Sequence, residues 1–253
     1  MTSPTPLEVY PIAGMPEVLP GDDLAAHIVT ALERSDLRPR DGDVLVVAQK
    51  VVSKAENARV DLKTVEPTPF ARQWAETWER DPRAVELVLR ESKRIVRMAR
   101  GLIVSETHHG FVCANAGLDQ SNTGRSEVAL LLPRDPDKSA RGLRESVRKA
   151  FGVDVAVIVA DTFGRPWRVG LTQVALGVAG LVPVEDFIDK LDNDGRRLHM
   201  TTIAQADQLA CAADLVCGKL KRVPAALIRN YDGPRGEGSG QELLRDPNLD
   251  LFR

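Results

Sequence analysis

The sequence predicts a mixed α+β fold, read here as one domain over residues 1–253. Two observations carry that expectation. Apolar strand-like runs and amphipathic helical segments alternate along the whole chain, and nothing repeats at a fixed period. A third observation bounds the partners. Lys plus Arg number 34 against 36 Asp plus Glu, a net charge of -2, so no global basic field draws the chain to nucleic acid or a membrane surface. Aromatic residues make up only 4%, which leaves few platforms for stacking single-stranded bases.

The elements follow in chain order. "MTSPTPLEVYPIAG" lacks a basic region leading into a long apolar one. No later segment approaches the roughly 18 uninterrupted apolar residues of a membrane span, so a cytoplasmic protein is expected. "DGDVLVVAQKVVSK" reads as a turn, the buried strand "VLVVA" and a polar strand exit carrying Lys50 and Lys54. "RDPRAVELVLRESKRIVRMAR" has apolar residues at helical spacing, with Asp81 before Pro82 as a start signal, and predicts one helix. "GLIVSETHHGFVCANAG" predicts two strands around "THHG", followed by the loop "NAGLDQSNTG". "PDKSARGLRESVRKAFG" predicts a helix closed by Gly152. "VAVIVA" is a buried strand, "TTIAQADQLACAADLVCG" a helix ending at Gly218, and "VPAALIRN" a late strand. Residues 233–253 form a Gly-rich polar tail, expected to be partly mobile, before a final apolar "LDLF". Cys113, Cys211 and Cys217 form no CxxC and no zinc spacing with the four histidines, so all three are expected to be packing residues.

Three polar loops follow strands that are apolar enough to be core. In "NAGLDQSN", Asp119 and Asn122 offer short oxygen-bearing side chains suited to a hard cation; taken alone, the loop reads first as a self-capped turn. In "ADTFGRPWR", Asp161 and Thr162 again supply oxygens, with an N-cap or turn as the alternative. Arg165 and Arg168 add planar donors for carboxylate or phosphate. In "AQKVVSK", the two lysines suit phosphates as point charges, or simply face solvent. His108 and His109 read as an exposed turn, and Trp167 as a stacking platform or a wedge. GxxxxGK[ST] and a strand-borne GxGxxG are both absent.

"PIAGMPEVLPGDDL", "DGDVLVVAQKVVSKAE", "NAGLDQSN", "ADTFGRPWR" with "VGLTQVALGVAGL", and "ADLVCGKLKRVPAALIR" occur in the order and spacing of the coenzyme F420:L-glutamate ligases. The chain resembles that family from Val9 to about Arg229, including the ligase domain of its two-domain bacterial members. The resemblance implies a largely antiparallel sheet with flanking helices, two lobes and an intertwined homodimer. It implies GTP-dependent addition of L-glutamate to the deazaflavin precursor F420-0, with extension to a γ-linked oligoglutamate tail as a further step. Mg or Mn would be the metal, helped by a monovalent cation such as potassium. Asp119, Asp161 and Thr162 are then the expected metal ligands. Gln49, Lys54, Asn122 and the loop Met15, Pro16, Glu17 and Val18 are expected to hold the nucleotide. Asp119, Asp161 and Arg165 are the expected catalytic residues, Arg165 from its type and place. Three departures from the family pattern put a second metal site in question: Gln208 stands for a carboxylate, Lys219 stands where some members have a metal-ligating Glu, and Arg229–Asn230 stands where relatives have Arg-Gly. They leave a second ligase hypothesis open, in which the same GTP chemistry serves a different carboxylate acceptor. A nucleotide-binding regulator without turnover is the hypothesis from another class; retention of Asp119, Asp161, Thr162 and Lys54 together argues against it.

Overall fold

The apolar runs "VLVVA", "VAVIVA" and "AALI" lie at the middle of one sheet. The computed structural model describes residues 5–120 and 127–250. In chain order its first elements are β1 (Glu8–Pro11), α1 (Leu24–Arg34), β2 (Val44–Ala48), α2 (Gln49–Ala55), β3 (Arg59–Asp61), α3 (Pro69–Trp78), α4 (Pro82–Arg90), β4 (Ser92–Ala99), β5 (Leu102–Thr107) and β6 (Val112–Ala114). Then come β7 (Val128–Leu130), α5 (Pro136–Phe151), β8 (Ala156–Arg165), β9 (Arg168–Ala179), β10 (Val184–Asp186), β11 (Thr202–Ala204), α6 (Gln205–Cys217) and β12 (Ala225–Arg229). The main sheet has the order β1-β12-β2-β8-β9. Within it only β2 and β8 run parallel. Smaller antiparallel sheets pair β4-β5-β6, β3-β7 and β10-β11. The class is therefore α+β with largely antiparallel strands.

Strand alternation explains the core. Leu45, Val47, Val157, Val159 and Leu227 face α1 and α5, where they meet Ile28, Leu32, Leu143 and Val147. Val44, Val46, Ile158, Ala226 and Ile228 face α6 and meet Leu209 and Ala213. Strands covered on both faces need apolar residues at every position, which is why "VLVVA" and "VAVIVA" show no alternation in the sequence. Each fully buried Val, Leu or Ile contributes roughly 1.5–3 kcal/mol. Helix ends are set locally: Asp23, Thr68, Asp81 and Asp135 each accept a backbone N–H at a helix start, and Gly152 closes α5 at φ 72°.

Two contacts tie distant segments to this frame. Asp137, in the first turn of α5, accepts from Val178 N (2.7 Å) of β9, and from Gly240 N (2.8 Å) and Ser239 Oγ (2.6 Å) of the C-terminal segment. Arg229 of β12 donates to Asp43 Oδ2 at 3.1 Å and to the Arg38 carbonyl at 2.9 Å, with side chains only 9% and 2% exposed for Arg229 and Asp43.

Three expectations need correction. The predicted helix over "RDPRAVELVLRESKRIVRMAR" stops at Arg90, and Ser92–Ala99 is the bulged strand β4. The run "RIVRMA" suits either state locally, and pairing with β5 decides it. The segment after "VLVVA" is not a strand exit but the helix α2. The helix over "TTIAQADQLACAADLVCG" begins only at Gln205, because Thr202–Ala204 pairs with β10.

Candidate active site

Strands β2 and β8 end their parallel pairing side by side, Ala48 opposite Ala160. There β2 turns into α2, while β8 runs on with β9 alone, pairing Asp161 with Val174 and Thr162 with Gln173. The expectation that a strand ends at Asp161 is thus corrected. The switch from apolar to polar residues marks the point where β8 loses one neighbour, and its ladder with β9 continues to Arg165. Asp161 is the first residue beyond the carboxyl ends of the parallel pair, a common place for ligands in sheets that contain parallel strands.

Alternation along β8 places Asp161 on the side of α2 and Thr162 on the side of α6. The Thr162 hydroxyl accepts from Gln173 Nε2 at 2.9 Å, and the same amide donates to Asp214 Oδ1 of α6 at 3.0 Å. The half-buried Asp161 carboxyl is pushed up to about 6, first by burial and then by the charge of Asp119, while the Thr162 N–H and the charges of Lys219 and Lys50 pull it partly back. Asp119 reaches the same place from another sheet. Its backbone exchanges hydrogen bonds with Leu130 (3.0 and 2.8 Å). It follows three consecutive left-handed residues, Asn115, Ala116 and Gly117, at φ 50°, 52° and 71°. Ala116 carries strain on the order of 1 kcal/mol, tolerated because it is packed in a small core. At Gly117 a Cβ would lie 2.8 Å from the Leu132 side chain, so nothing larger fits.

Helix α2 presents two stripes at i, i+4. Gln49 and Ser53 point inward: Gln49 Nε2 donates to Ser53 Oγ (2.6 Å) and to the Leu131 carbonyl (3.1 Å), which Ser53 also reaches at 2.7 Å. Lys50 and Lys54 form the other stripe. Lys50 Nζ lies 2.5 Å from Asp119 Oδ2, and Lys54 is ion-paired with Glu17. Sequence reading missed that Lys50 belongs with the carboxylates; had α2 been read as a helix, the Lys50/Lys54 spacing would have marked it.

The structure brings Asp119, Asp161 and Lys50 together, and sets Lys54 against Glu17. In the expected nucleotide loop, Val18 is core, Met15 packs against that core, and Pro16 and Glu17 are exposed. Gln49 is buried, with its amide engaged inside the fold. Asn122 lies outside the described residues. Arg165 sits across the tight hairpin turn Pro166–Trp167 from Arg168 and donates to the Val169 carbonyl at 3.3 Å. It stands about 13 Å along the strand from Asp161. His108 and His109 direct Nε2 at the carbonyls of Arg90 (2.9 Å) and Pro133 (3.0 Å), so both act in holding their turn. Burial, and next the Asp161 charge, push the Cys113 thiol up to about 12, which keeps it a neutral packing group.

Among the described residues no cluster of three or more His, Cys, Asp and Glu is arranged to hold a metal. Two carboxylates whose charges oppose each other, one of them largely desolvated, nevertheless form a donor set that a hard cation relieves, and the residues fit such an ion with further oxygens supplied by a substrate. A crevice of about 210 Å³ at the opposite end of β8, lined by Arg144, Asp154, Gly180 and Arg235, is a different feature. Arg144 there is already engaged by Asp154 (2.8 Å) and Glu237 (2.6 Å). No helix among the described residues is long and apolar enough to cross a membrane.

Known proteins resemble this chain over nearly its whole length. Residues 14–230 match the family model described as F420-0:Gamma-glutamyl ligase. A coenzyme F420:L-glutamate ligase of Methanothermobacter thermautotrophicus is 46% identical over 245 residues, 96% of this chain and 97% of that protein. The protein of the same name from Methanopyrus kandleri is 43% identical, covering 98% of both chains. That from Methanocaldococcus jannaschii is 38% identical over 84% of this chain and 85% of its own.

Proposed function

Because the chain belongs to the F420-0:gamma-glutamyl ligase family, we propose that it joins the amine of L-glutamate to the terminal carboxylate of F420-0, with GTP as co-substrate. The observation that carries the reading at the level of the site is the Asp119–Asp161 pair at the end of the parallel strands, with Lys50 against it. A carboxylate does not react with an amine until one of its oxygens becomes a leaving group. In this reading a carboxylate oxygen of the acceptor attacks the γ-phosphorus of GTP and GDP departs. The glutamate amine then attacks the acyl carbon of the acyl phosphate, inorganic phosphate leaves, and the amine loses a proton. Such chemistry asks a protein for positioning and charge neutralisation.

Asp119 and Asp161 would hold Mg or Mn, with Thr162 the third donor expected from the resemblance and potassium a helper; when bound, the divalent ion neutralises phosphate charge. Lys54 and the Met15–Val18 loop would meet the nucleotide, whose phosphates displace the exposed Glu17 from Lys54. Arg165, at the hairpin tip, would take a carboxylate on the outer part of a long substrate. Incubation with GTP, L-glutamate, F420-0 and Mn, followed by mass spectrometry, is expected to show F420-0 gaining glutamate with one GDP released per bond. Equal turnover with ATP overturns the choice of GTP. Product from another carboxylate and none from F420-0 moves the reading to a ligase with a different acceptor.

The two-lobed, intertwined homodimer belongs to the same reading. Its support is the β8–β9 hairpin, which carries Trp167, Val169 and Leu171 at 81%, 101% and 63% exposure, an apolar surface unusual for a monomer. Light scattering at micromolar concentration is expected to return twice the 27.7 kDa chain mass. A monomer mass removes the dimer and leaves the ligation chemistry standing.

A further inference from the structure

We propose that Lys50 is the resident counter-ion of the carboxylate pair, so that a divalent metal and a nucleotide bind together rather than one after the other. The inference rests on the ligase reading above, in which Asp119 and Asp161 take the metal beside nucleotide phosphates. Its geometry is the 2.5 Å contact of Lys50 Nζ with Asp119 Oδ2, between side chains that are 22% and 31% exposed. An ammonium in that position occupies an oxygen that a metal ion needs. Two cations cannot share it closely, because their repulsion at a few ångströms is large in a partly buried site. Metal arriving alone must therefore displace Lys50 and leave it without its carboxylate in a poorly solvated place. Nucleotide phosphate removes that cost by giving the displaced ammonium a new partner.

The fold is built for such an exchange. Gln49 and Ser53 bind the Leu131 carbonyl from the inner stripe of α2, so the root of Lys50 is fixed. Its side chain is long and carries a point charge with three rotatable donors, which can swing between partners where a planar guanidinium would be held by its fork. Lys54, one turn on, is paired with Glu17 in the same manner, with a carboxylate that is 69% exposed and so better screened by water. Both lysines of that stripe thus rest on carboxylates that phosphate can replace. By linkage, nucleotide must then raise metal affinity by the same factor that metal raises nucleotide affinity.

The test uses the whole, metal-free chain and follows Mn2+ by electron paramagnetic resonance, with Mn2+ alone and with GDP present, each against a protein-free Mn2+–GDP control so that only the Mn2+ held by the protein is counted, and no turnover is needed. For the unaltered protein, GDP is expected to strengthen Mn2+ binding on the order of tenfold or more. In Lys50→Gln and Lys50→Met the competitor is gone: Mn2+ alone should bind about tenfold tighter, and the gain from GDP should shrink to a comparable degree. Lys50→Arg keeps a cation there and should retain weak binding of Mn2+ alone. Melting curves identify the folded variants, and the lysine lies on the outer stripe of α2, so its replacement opens no core. Mn2+ binding in the presence of GDP, with metal-alone affinity unchanged in both neutral variants, overturns the role of Lys50 and leaves the metal site intact. Absence of Mn2+ binding to the unaltered protein even with GDP overturns the metal–nucleotide reading itself.

Discussion

Replacing Asp161 with Asn is expected to lower ligation on the order of 100-fold or more while raising the melting temperature of the metal-free protein at neutral pH. The first effect follows from charge: Asn keeps the size and hydrogen bonding of Asp but loses the anionic oxygen a hard cation requires. The second follows from burial. The folded carboxyl is pushed up from 3.8 to about 6, so folding favours its protonated form. Stability from that proton is fully present below about pH 4 and is lost as pH rises through about 6. The shift corresponds to at most about 3 kcal/mol, and less in practice because the side chain still meets water and two lysines. Melting temperatures of the two proteins should therefore converge near pH 4 and separate above pH 6, with the variant the more stable. A turn or cap role for Asp161 requires the reverse: about 1 kcal/mol lost and ligation retained in the folded fraction.

Arg229→Met carries the largest expected effect on stability. The substitution leaves the Asp43 carboxylate, 2% exposed, without the guanidinium that donates to both of its oxygens at 3.1 and 3.3 Å. Breaking one side of a buried pair costs about 3–5 kcal/mol, most of it the uncompensated charge. Denaturant unfolding should show a loss of that size, whereas turnover per folded molecule should hardly change, because the pair lies at the end of β12 far along the sheet from Asp161. Adding Asp43→Asn to Arg229→Met should return part of the loss, since a neutral amide no longer demands a counter-charge. A single variant as stable as the unaltered protein would mean that water replaces the guanidinium.

The sequence by itself determined the core strands, the starts of α4 and α5 and the identity of the family. Strands buried on both faces must be apolar throughout, and N-cap and Pro signals act within one turn, so each is written locally in "VLVVA", "VAVIVA" or around Asp81 and Asp135. The residues of "NAGLDQSN" and "ADTFGRPWR" carried the candidate carboxylates by the same local means. What the tertiary structure decided are the relations that need a partner distant in the chain. "RIVRMA" became a strand because β5 was there to pair with it. β8 continued past Asp161 because β9 supplied a ladder after β2 had left. Counting back from the Pro166–Trp167 turn would set Thr162 opposite Leu171, but the irregularity between Phe163 and Arg165 sets it opposite Gln173, whose amide then holds the hydroxyl. Lys50 faces Asp119 because a two-turn helix follows β2, a conformation that the β-branched "KVVSK" does not announce. In each case local propensity is nearly neutral, and a long-range contact worth a few kcal/mol chooses between states of similar local energy.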